Sequence, residues 1–245
     1  METLRISAIV PCYNAARYLE EALRSACDQQ PRPIEVIVVD DGSTDESLAI
    51  AGRLGPPVMC VHQDHRGISH ARNRGLEIAR GDVIAFLDAD DVWTASSLAA
   101  RAQVLDSDPS VDCVTGLVQQ FISPELPDEV RARLVCPEEA SAARVAGSML
   151  IRRRAFDRIG VFDPTFQVGE TIDWVARADA GGVVMRTIDT IVLRRRLHDD
   201  NTGVRNAHLR PEYLRVLKAS LDRRRASPPP APAPPSTSSS PASGR

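Results

Sequence analysis

The 245-residue sequence contains no run of about 18 apolar residues, the length that a membrane-spanning helix requires, so no transmembrane segment is predicted. The first residues also lack the basic start, the long apolar stretch and the cleavage site of a signal peptide. The five cysteines are scattered and never spaced as C-x-x-C, which argues against a zinc site or a disulfide framework. These absences favour a cytoplasmic protein, with peripheral contact at the inner membrane surface left open.

Two common nucleotide-binding signatures are absent as well. The first apolar run leads into Pro11-Cys12-Tyr13-Asn14 instead of the G-x-G-x-x-G of a dinucleotide-binding fold, and no G-x-x-x-x-G-K-[ST] loop occurs. A diphosphate bound here would therefore be held by a metal ion and basic side chains rather than by a glycine-rich backbone. The net charge of −3 gives no overall attraction to nucleic acid, so no nucleic-acid partner is predicted.

The first 120 residues alternate between strand-like and helix-like segments. Strands are predicted at residues 4–10, 34–39, 58–61, 83–87 and 111–118. Asn14 is predicted to cap one helix, a capping box of Ser43 and Glu46 to open a second, and Ser69 to cap a third that runs to Arg80. A fourth helix is predicted over residues 94–106. The strand-like runs are continuously apolar, as in parallel strands covered on both faces. We therefore expect an α/β fold with a mostly parallel central sheet flanked by helices, which binds ligands at the carboxyl ends of its strands.

The second half has a weaker pattern. Residues 123–142 resemble a mobile excursion, and the later elements are predicted as strands at 147–151 and 187–193 and helices at 153–159, 170–180 and 209–225. The last helix has an apolar stripe of Tyr213, Val216, Leu217 and Leu221, which we expect to pack on the domain. Its basic face leaves docking on an anionic membrane or an acidic carrier open. Residues 226–245 are rich in Pro, Ala and Ser and are predicted to be disordered.

Polar clusters follow three of the predicted strands, at residues 11–14, 40–45 and 88–91. Asp88, Asp90 and Asp91 come directly after an apolar strand, where three neighbouring carboxylates repel each other and lose hydration. A divalent cation relieves both costs, and carboxylate oxygens favour Mg²⁺ or Mn²⁺, which in turn hold diphosphate oxygens. A helix-capping turn at Asp40-Asp41 and a solvated acidic turn at residues 88–91 are the structural alternatives.

Several motifs in order resemble the family-2 glycosyltransferases of the GT-A fold. The residues that carry this resemblance are Ile9 to Asn14, Val38 to Asp45, Ala71 to Gly75, Phe86 to Asp91, Gly147 to Arg153, Gly160 to Asp163, and Arg195 to His198 with Asn201. The resemblance covers roughly residues 5–201. It implies one GT-A domain at 1–225, with a nucleotide-binding half at about 1–120 and an acceptor half at about 121–225.

The resemblance also implies site residues and a reaction. The donor site would be formed by Pro11, Tyr13, Asn14, Asp41, Arg72, Asp88 and Asp91. Asp41 would accept a hydrogen bond from the ring N–H of the base, and Asp88 would face the ribose or the sugar. Asp90 would be the main metal ligand. The expected reaction is inverting, metal-dependent transfer from a nucleotide-diphospho-sugar, with a UDP-sugar as the expected donor and no acceptor defined.

His198 follows a run of three arginines at a late strand end. We expect this histidine to join Asp90 at the metal or diphosphate site, with Arg194, Arg195 and Arg196 near the phosphates, because arginine matches phosphate geometry through paired donors. An exposed histidine beside a solvated basic run is the alternative.

The base that would deprotonate the acceptor is predicted at the start of the 170–180 helix. In the family an acidic pair often opens this helix, but here Thr171 stands in the place of the second acid. We expect Glu170 to be the base and Asp173 to support it, since residues three apart share a helix face. The alternatives are a Glu170 that only caps the helix, with Asp173 orienting Arg177, and a catalytically silent nucleotide-sugar-binding subunit. A sugar nucleotidyltransferase is disfavoured because its usual Gly-rich opening loop is missing.

Overall fold

The computed structural model of the protein describes residues 4–199 and 201, together with 214–216, 218, 219 and 222. The strands are β1 (Ile6–Cys12), β2 (Glu35–Asp40), β3 (Val58–His62), β4 (Val83–Phe86), β5 (Val92–Trp93), β6 (Cys113–Ile122), β7 (Ser141–Ala142), β8 (Met149–Arg152) and β9 (Met185–Leu197). The helices are α1 (Leu19–Cys27), α2 (Ser47–Leu54), α3 (Ile68–Ile78), α4 (Ser97–Ser107), α5 (Asp128–Arg131), α6 (Arg153–Ile159) and α7 (Glu170–Ala180). A 3₁₀ turn covers Ala146–Ser148.

All of these strands belong to one sheet with the order β3-β2-β1-β4-β8-β6-β9-β5, and β7 pairs with β6. The pairs among β3, β2, β1 and β4 are parallel, as is the β6–β9 pair, whereas β8, β5 and β7 pair antiparallel to their neighbours. The predicted α/β fold is therefore confirmed. Because β1, β2 and β4 are parallel neighbours, their carboxyl ends bring the three polar clusters to one edge of the sheet.

The sheet is covered on both faces, which explains the continuously apolar strands. Ala8 and Val10 of β1 face a cluster that includes Leu19 and Leu23 of α1. On the other face, Ile9 of β1 belongs to a cluster with side chains of α3 and α7, including Ala71, Leu76 and Trp174. Successive residues of one strand thus point into two separate apolar layers. Every residue of the strand is therefore in a hydrophobic environment, which explains the absence of an alternating pattern.

The predicted starts of α1, α2 and α3 are wrong in detail. Asn14 does not cap α1, which begins five residues later; its Oδ1 instead accepts a hydrogen bond from the Thr44 amide at 2.8 Å. The Ser43–Glu46 capping box does not form, since α2 has Glu46 itself at its N-cap and no side-chain cap bond. Ser69 lies inside α3, where its hydroxyl faces Phe166. Asn14 and Ser43 thus join loops at the strand ends instead of capping helices, and Ser69 links α3 to the segment before α7.

The second half is more regular than its sequence suggests. Helices α6 and α7 have the predicted bounds, and the late strand is longer, at Met185–Leu197, because it pairs with the whole of β6. The 123–142 segment contains α5 and β7. Of the predicted last helix, helical backbone is described at 214–216, 218, 219 and 222, and Val216 is buried. Tyr213, Leu217, Leu221 and the 226–245 tail lie outside the described residues.

Within the described part, no helix has the length and apolar character needed to cross a membrane.

Gly75 sets the distance between α3, which carries Arg72, and strand β1. A Cβ at Gly75 would lie 2.3 Å from Cγ2 of the buried Ile9, so replacing Gly75 with alanine must push helix and strand apart. We expect Gly75→Ala to lower the free energy of unfolding by about 1–2 kcal/mol, because overpacking outweighs the gain in helix propensity. Gly52→Ala in α2 is the matched control, since a Cβ there meets nothing within 4 Å. Denaturant unfolding should show Gly52→Ala to be more stable than the unmodified chain by up to about 1 kcal/mol. A similar shift in both variants would contradict this packing argument.

Candidate functional site

The acidic loop after β4 directs its three carboxylates to three different partners. The loop is closed by a hydrogen bond from the Asp91 amide to the Asp88 carbonyl at 3.0 Å. Asp88 contacts Arg72, Asp90 contacts His198, and Asp91 accepts a backbone N–H from Arg196. The three side chains therefore perform separate tasks and do not form one carboxylate cage.

Arg72 connects the acidic loop to the start of α7. Its Nη2 lies 2.7 Å from Asp88 Oδ1, and its Nη1 forms an ion pair with Glu170 Oε1 and a 3.2 Å contact with Thr171 Oγ1. Arg72 is 2% exposed. Burial by itself would lower the pKa of Arg72, but the carboxylates of Asp88 and Glu170 outweigh it and raise that pKa. A buried arginine with two carboxylates is thus the link between two predicted site regions.

Asp91 is the buried member of the acidic loop. Its carboxylate is 4% exposed and accepts the Arg196 amide at 2.9 Å. Burial, followed by the charges of Asp90 and Asp88, raises the pKa of Asp91 well above its usual value, and the Arg196 amide only partly offsets this. Added positive charge at this loop would therefore favour the ionised acid.

Asp90 and His198 meet although they are 108 residues apart in the chain. Nε2 of His198 lies 3.0 Å from Oδ2 of Asp90, and Nδ2 of Asn201 lies 3.3 Å from the same oxygen. The His198 backbone is held in turn by Asn201, whose Oδ1 accepts its amide at 2.6 Å. The ring of Tyr18 packs with its centre 4.8 Å from that of His198, and His198 is 5% exposed. The side chain of Asp90 is more exposed than that of His198.

The three arginines before His198 do not behave alike. Arg194 and Arg195 are exposed, and the guanidinium of Arg194 lies over the Phe121 ring at 4.5 Å. Arg196 points inward: its Nε donates to the Asp90 carbonyl at 2.9 Å, and its other nitrogens contact Ser123 and Glu21. The donors of Arg196 are thus engaged by the protein beside Asp90, and the expectation that all three arginines lie near phosphates stays a prediction.

Arg196 is a structural support of the acidic loop that sequence reasoning missed. Its guanidinium also lies 4.6 Å from the Tyr18 ring centre and 4.7 Å from that of Phe121. Through these contacts it ties α1, β6 and β9 to the backbone of Asp90 and Asp91. No sequence signal separates it from its neighbours, because three consecutive arginines look equivalent until the strand pairing is known.

The side chains near Asp90 suit a cation that is shared with a ligand. Among the described residues, no group of three or more His, Cys, Asp or Glu side chains is placed to hold a metal ion by itself. Asp90 and His198 offer one oxygen and one nitrogen within 3.0 Å of each other. Mg²⁺ in particular is bound in many enzymes by one or two carboxylates together with substrate phosphates. The donor set therefore fits a cation whose remaining ligands come from a diphosphate and water.

The predicted nucleobase region lies at the ends of β1 and β2. The Asp41 amide donates to the Cys12 carbonyl at 2.8 Å, and the Asn14 amide donates to Ser43 Oγ at 2.9 Å, so the two strand ends are joined. Pro11 lies within β1, and Tyr13 follows it with its ring 45% exposed. The carboxylate of Asp41 is buried and accepts hydrogen bonds from the chain that precedes α3.

Asp173 forms an ion pair within its own helix. It is 1% exposed and forms an ion pair with Arg177 at 2.8 Å, one helical turn along α7. Arg177 donates in turn to the carbonyls of Ile159 and Val161. These contacts match the alternative in which Asp173 orients Arg177. Glu170 and Asp173 thus lie on the same helix, and Glu170 contacts Arg72, which in turn contacts Asp88.

Comparisons with known proteins agree with this geometry. The profile of Glycosyl transferase family 2 matches residues 7–160. An uncharacterised glycosyltransferase of Nostoc sp. is 30% identical over 176 residues, which is 66% of this chain and 55% of that protein. The E. coli glycosyltransferase YibD is 42% identical over 92 residues, 36% of this chain and 27% of that protein. The chain thus spans about half or less of the length of these relatives.

Solved structures share the fold at low sequence identity. S. aureus TarS, residues 1–349 in complex with UDP-GlcNAc, has a TM-score of 0.64 at 22% identity and covers 81% of this chain and 60% of its own. The mannosyltransferase PcManGT of Pyrobaculum calidifontis, in complex with GDP-Man and Mn²⁺, has a TM-score of 0.67 at 23% identity over 95% of this chain and 67% of its own. The expected GT-A type of fold is confirmed. From the family profile, the ordered motifs and the sheet that brings them to one edge, we conclude that this chain belongs to glycosyl transferase family 2.

Proposed function

We propose that this protein transfers a sugar from a nucleotide-diphospho-sugar to an acceptor, with inversion at the anomeric carbon and with Mg²⁺ or Mn²⁺. The observation that carries the proposal is the bridge formed by Arg72 between Asp88, in the acidic loop, and Glu170, at the start of α7. This bridge couples the expected donor-facing acid to the expected base. Family membership supports glycosyl transfer, and the donor found in each solved neighbour supports a nucleotide-sugar.

The donor would bind along the edge formed by β1, β2 and β4. Tyr13 would stack on the base, Asp41 would accept its ring N–H, and Pro11 and Asn14 would line the pocket. Asp88, held by Arg72, would face the ribose or the sugar. Asp90 and His198 would hold the cation, which neutralises the charge that develops on the leaving nucleoside diphosphate. Asp91 would keep the loop in place through the Arg196 amide.

Glu170 would take the proton of the acceptor hydroxyl. Both of its contacts, with Arg72 and with Thr171, are made by Oε1, which leaves Oε2 as the oxygen for the proton. The Thr171 hydroxyl donates to Oε1 at 2.9 Å and so helps to fix the carboxylate. The acceptor oxygen, once deprotonated, attacks the anomeric carbon as the bond to the diphosphate breaks. One displacement inverts the configuration, through a transition state with oxocarbenium character.

A catalytically silent nucleotide-sugar-binding subunit is the second candidate function. It is favoured by Thr171, which carries no carboxylate, and by the ion pair that engages Glu170. In this case the donor site would be complete and the base would be lacking. Donor binding without transfer to any acceptor is its expected signature.

A donor screen tests both candidates. UDP- and GDP-sugars would be titrated against the protein with Mn²⁺, with Mg²⁺ and with a chelator, while release of the nucleoside diphosphate is followed. We expect metal-dependent binding and slow hydrolysis of one donor class, with UDP-sugars as the first choice. Binding that is unaffected by the chelator would contradict the metal dependence, and the absence of any nucleotide-sugar binding would contradict both functions.

A further inference from the structure

The carboxylate of Asp41 is enclosed by three hydrogen-bond donors and by the imidazole of His65. Its Oδ1 accepts from Gln63 Nε2 at 2.7 Å and from the Arg66 amide at 2.9 Å. Its Oδ2 accepts from the Gly67 amide at 2.8 Å. The Nδ1 atom of His65 contacts the Asp41 carbonyl oxygen at 3.0 Å and also lies 2.9 Å from Oδ2. The imidazole thus fills the space beside Oδ2, and a nucleobase N–H can reach this oxygen only if a neighbouring group moves away.

The four groups around the carboxylate differ in how easily they can leave. The amides of Arg66 and Gly67 belong to the backbone that leads into α3, and Gly67 is the N-cap of that helix. Moving them would disturb the helix that carries Arg72. The side chain of His65 is 54% exposed and can rotate away without a change in the backbone. The Gln63 side chain is less exposed and donates to Oδ1 at 2.7 Å, so His65 is the group that leaves at the lowest cost.

His65 also covers the surface on which a base would stack. Its imidazole lies on the Tyr13 ring with 4.0 Å between ring centres and 24° between planes. The backbone of His65 packs against the turn after Asp41. A Cβ on Gly42 would lie 2.9 Å from the His65 amide nitrogen and 3.2 Å from its Cβ. The glycine thus lets the two loops approach so closely that the histidine reaches both Tyr13 and Asp41.

We propose that His65 is an internal occupant of the nucleobase subsite, which the donor must displace. The imidazole takes the two places that a base would take, with a flat ring on Tyr13 and a ring nitrogen 2.9 Å from Oδ2 of Asp41. When the donor enters, the base takes over both interactions and His65 turns into solvent. This inference rests on the proposed function, since it takes Tyr13 and Asp41 as the base-binding pair.

The test compares nucleotide affinity between His65→Ala and a matched histidine variant. His62 forms the same kind of pair with the neighbouring acid, at 2.8 Å from Asp40, and its side chain is 56% exposed, but its ring is not stacked on Tyr13. UDP and GDP would be titrated with Mn²⁺ present, and inorganic pyrophosphate would serve as a probe that lacks a base. We expect His65→Ala to bind UDP about two- to tenfold more tightly, because an aromatic contact of modest strength no longer competes. His62→Ala should bind UDP as the unmodified protein does, and pyrophosphate should not distinguish the three proteins.

The outcomes separate this inference from the proposed function. Weaker binding of UDP by His65→Ala would mean that the histidine contacts the bound base, and equal binding would mean that it does not compete; either result overturns the inference and leaves the donor site intact. A change in pyrophosphate affinity would place the effect outside the base subsite and also overturns it. If neither the unmodified protein nor His65→Ala binds any nucleoside diphosphate, the proposed function fails together with the inference.

Discussion

Replacing Asp90 with alanine is expected to reduce sugar transfer by about 10²-fold or more and to remove most of the metal-dependent donor affinity. Among the described residues, Asp90 and His198 form the only carboxylate–imidazole pair at the acidic loop. A cation bound there would stabilise the negative charge on the leaving diphosphate by about several kcal/mol. His198 alone supplies one neutral nitrogen, which holds Mg²⁺ or Mn²⁺ poorly. The loss should therefore be much larger than that of a surface charge.

The control for this variant is Asp179→Ala, which removes the same charge from an exposed ion pair with Arg144 at 3.0 Å. Such pairs contribute little to stability, so activity and affinity should remain near their normal values. Mn²⁺ binding in the presence of UDP, followed by electron paramagnetic resonance, gives a readout that does not depend on turnover. Full activity of Asp90→Ala in the presence of a chelator would contradict the metal assignment.

Replacing Glu170 with glutamine is expected to lower turnover by roughly 10²-fold or more while donor affinity stays within a few-fold of normal. The amide keeps the size of the side chain and an oxygen that accepts from Arg72, but it cannot take a proton from the acceptor. The Arg72–Asp88 contact at 2.7 Å is independent of Glu170 and should still orient Asp88. The expected signature is therefore a change in kcat with little change in UDP binding.

Asp173→Asn is the matched control on the same helix. Asp173 is buried and pairs with Arg177, so the substitution leaves a guanidinium without its ionic partner and should lower stability. Turnover per folded molecule should remain close to normal. If Asp173→Asn loses turnover and Glu170→Gln does not, the base has been assigned to the wrong residue. If the unmodified protein binds the donor tightly and transfers to no acceptor in a broad panel, the silent-subunit function is supported instead.

The sequence was a good guide to elements with a strong local pattern. The bounds predicted for α6 and α7 agree with the structure, and β3 differs by one residue. The starts of α1, α2 and α3 were predicted poorly, because Asn14, Ser43 and Ser69 carry side chains that bond equally well to a helix end or to another part of the chain. In this protein the loops at the neighbouring strand ends are close enough to compete for Asn14 and Ser43.

The candidate site divides in the same way. The order of the motifs was sufficient to predict that Asp41, Asp88 and Asp90 lie at one edge, since parallel strands end on the same side of a sheet. The sequence was not sufficient to choose the base between Glu170 and Asp173. These two acids have a similar sequence context but different ion-pair partners, Arg72 for Glu170 and Arg177 for Asp173. Arg196 was expected near the phosphates and not as a support of the acidic loop, and His65 was not identified as a site residue, because the contacts of both are made with distant parts of the chain.

The sequence by itself determined the α/β class, the apolar strands covered on both faces and the polar clusters at the strand ends. These features depend on local hydrophobic pattern and on residue type, which every short segment carries with it. Only the tertiary structure decided the partner of each charged side chain: Arg72 with Asp88 and Glu170, and Asp90 with His198. Arg72 and Glu170 are 98 residues apart in the chain, and Asp90 and His198 are 108 apart. The physical reason is that burial makes an unpaired charge costly. Each buried charged side chain therefore pairs with an opposite charge that the sheet places within reach, and the sequence alone offers many such partners.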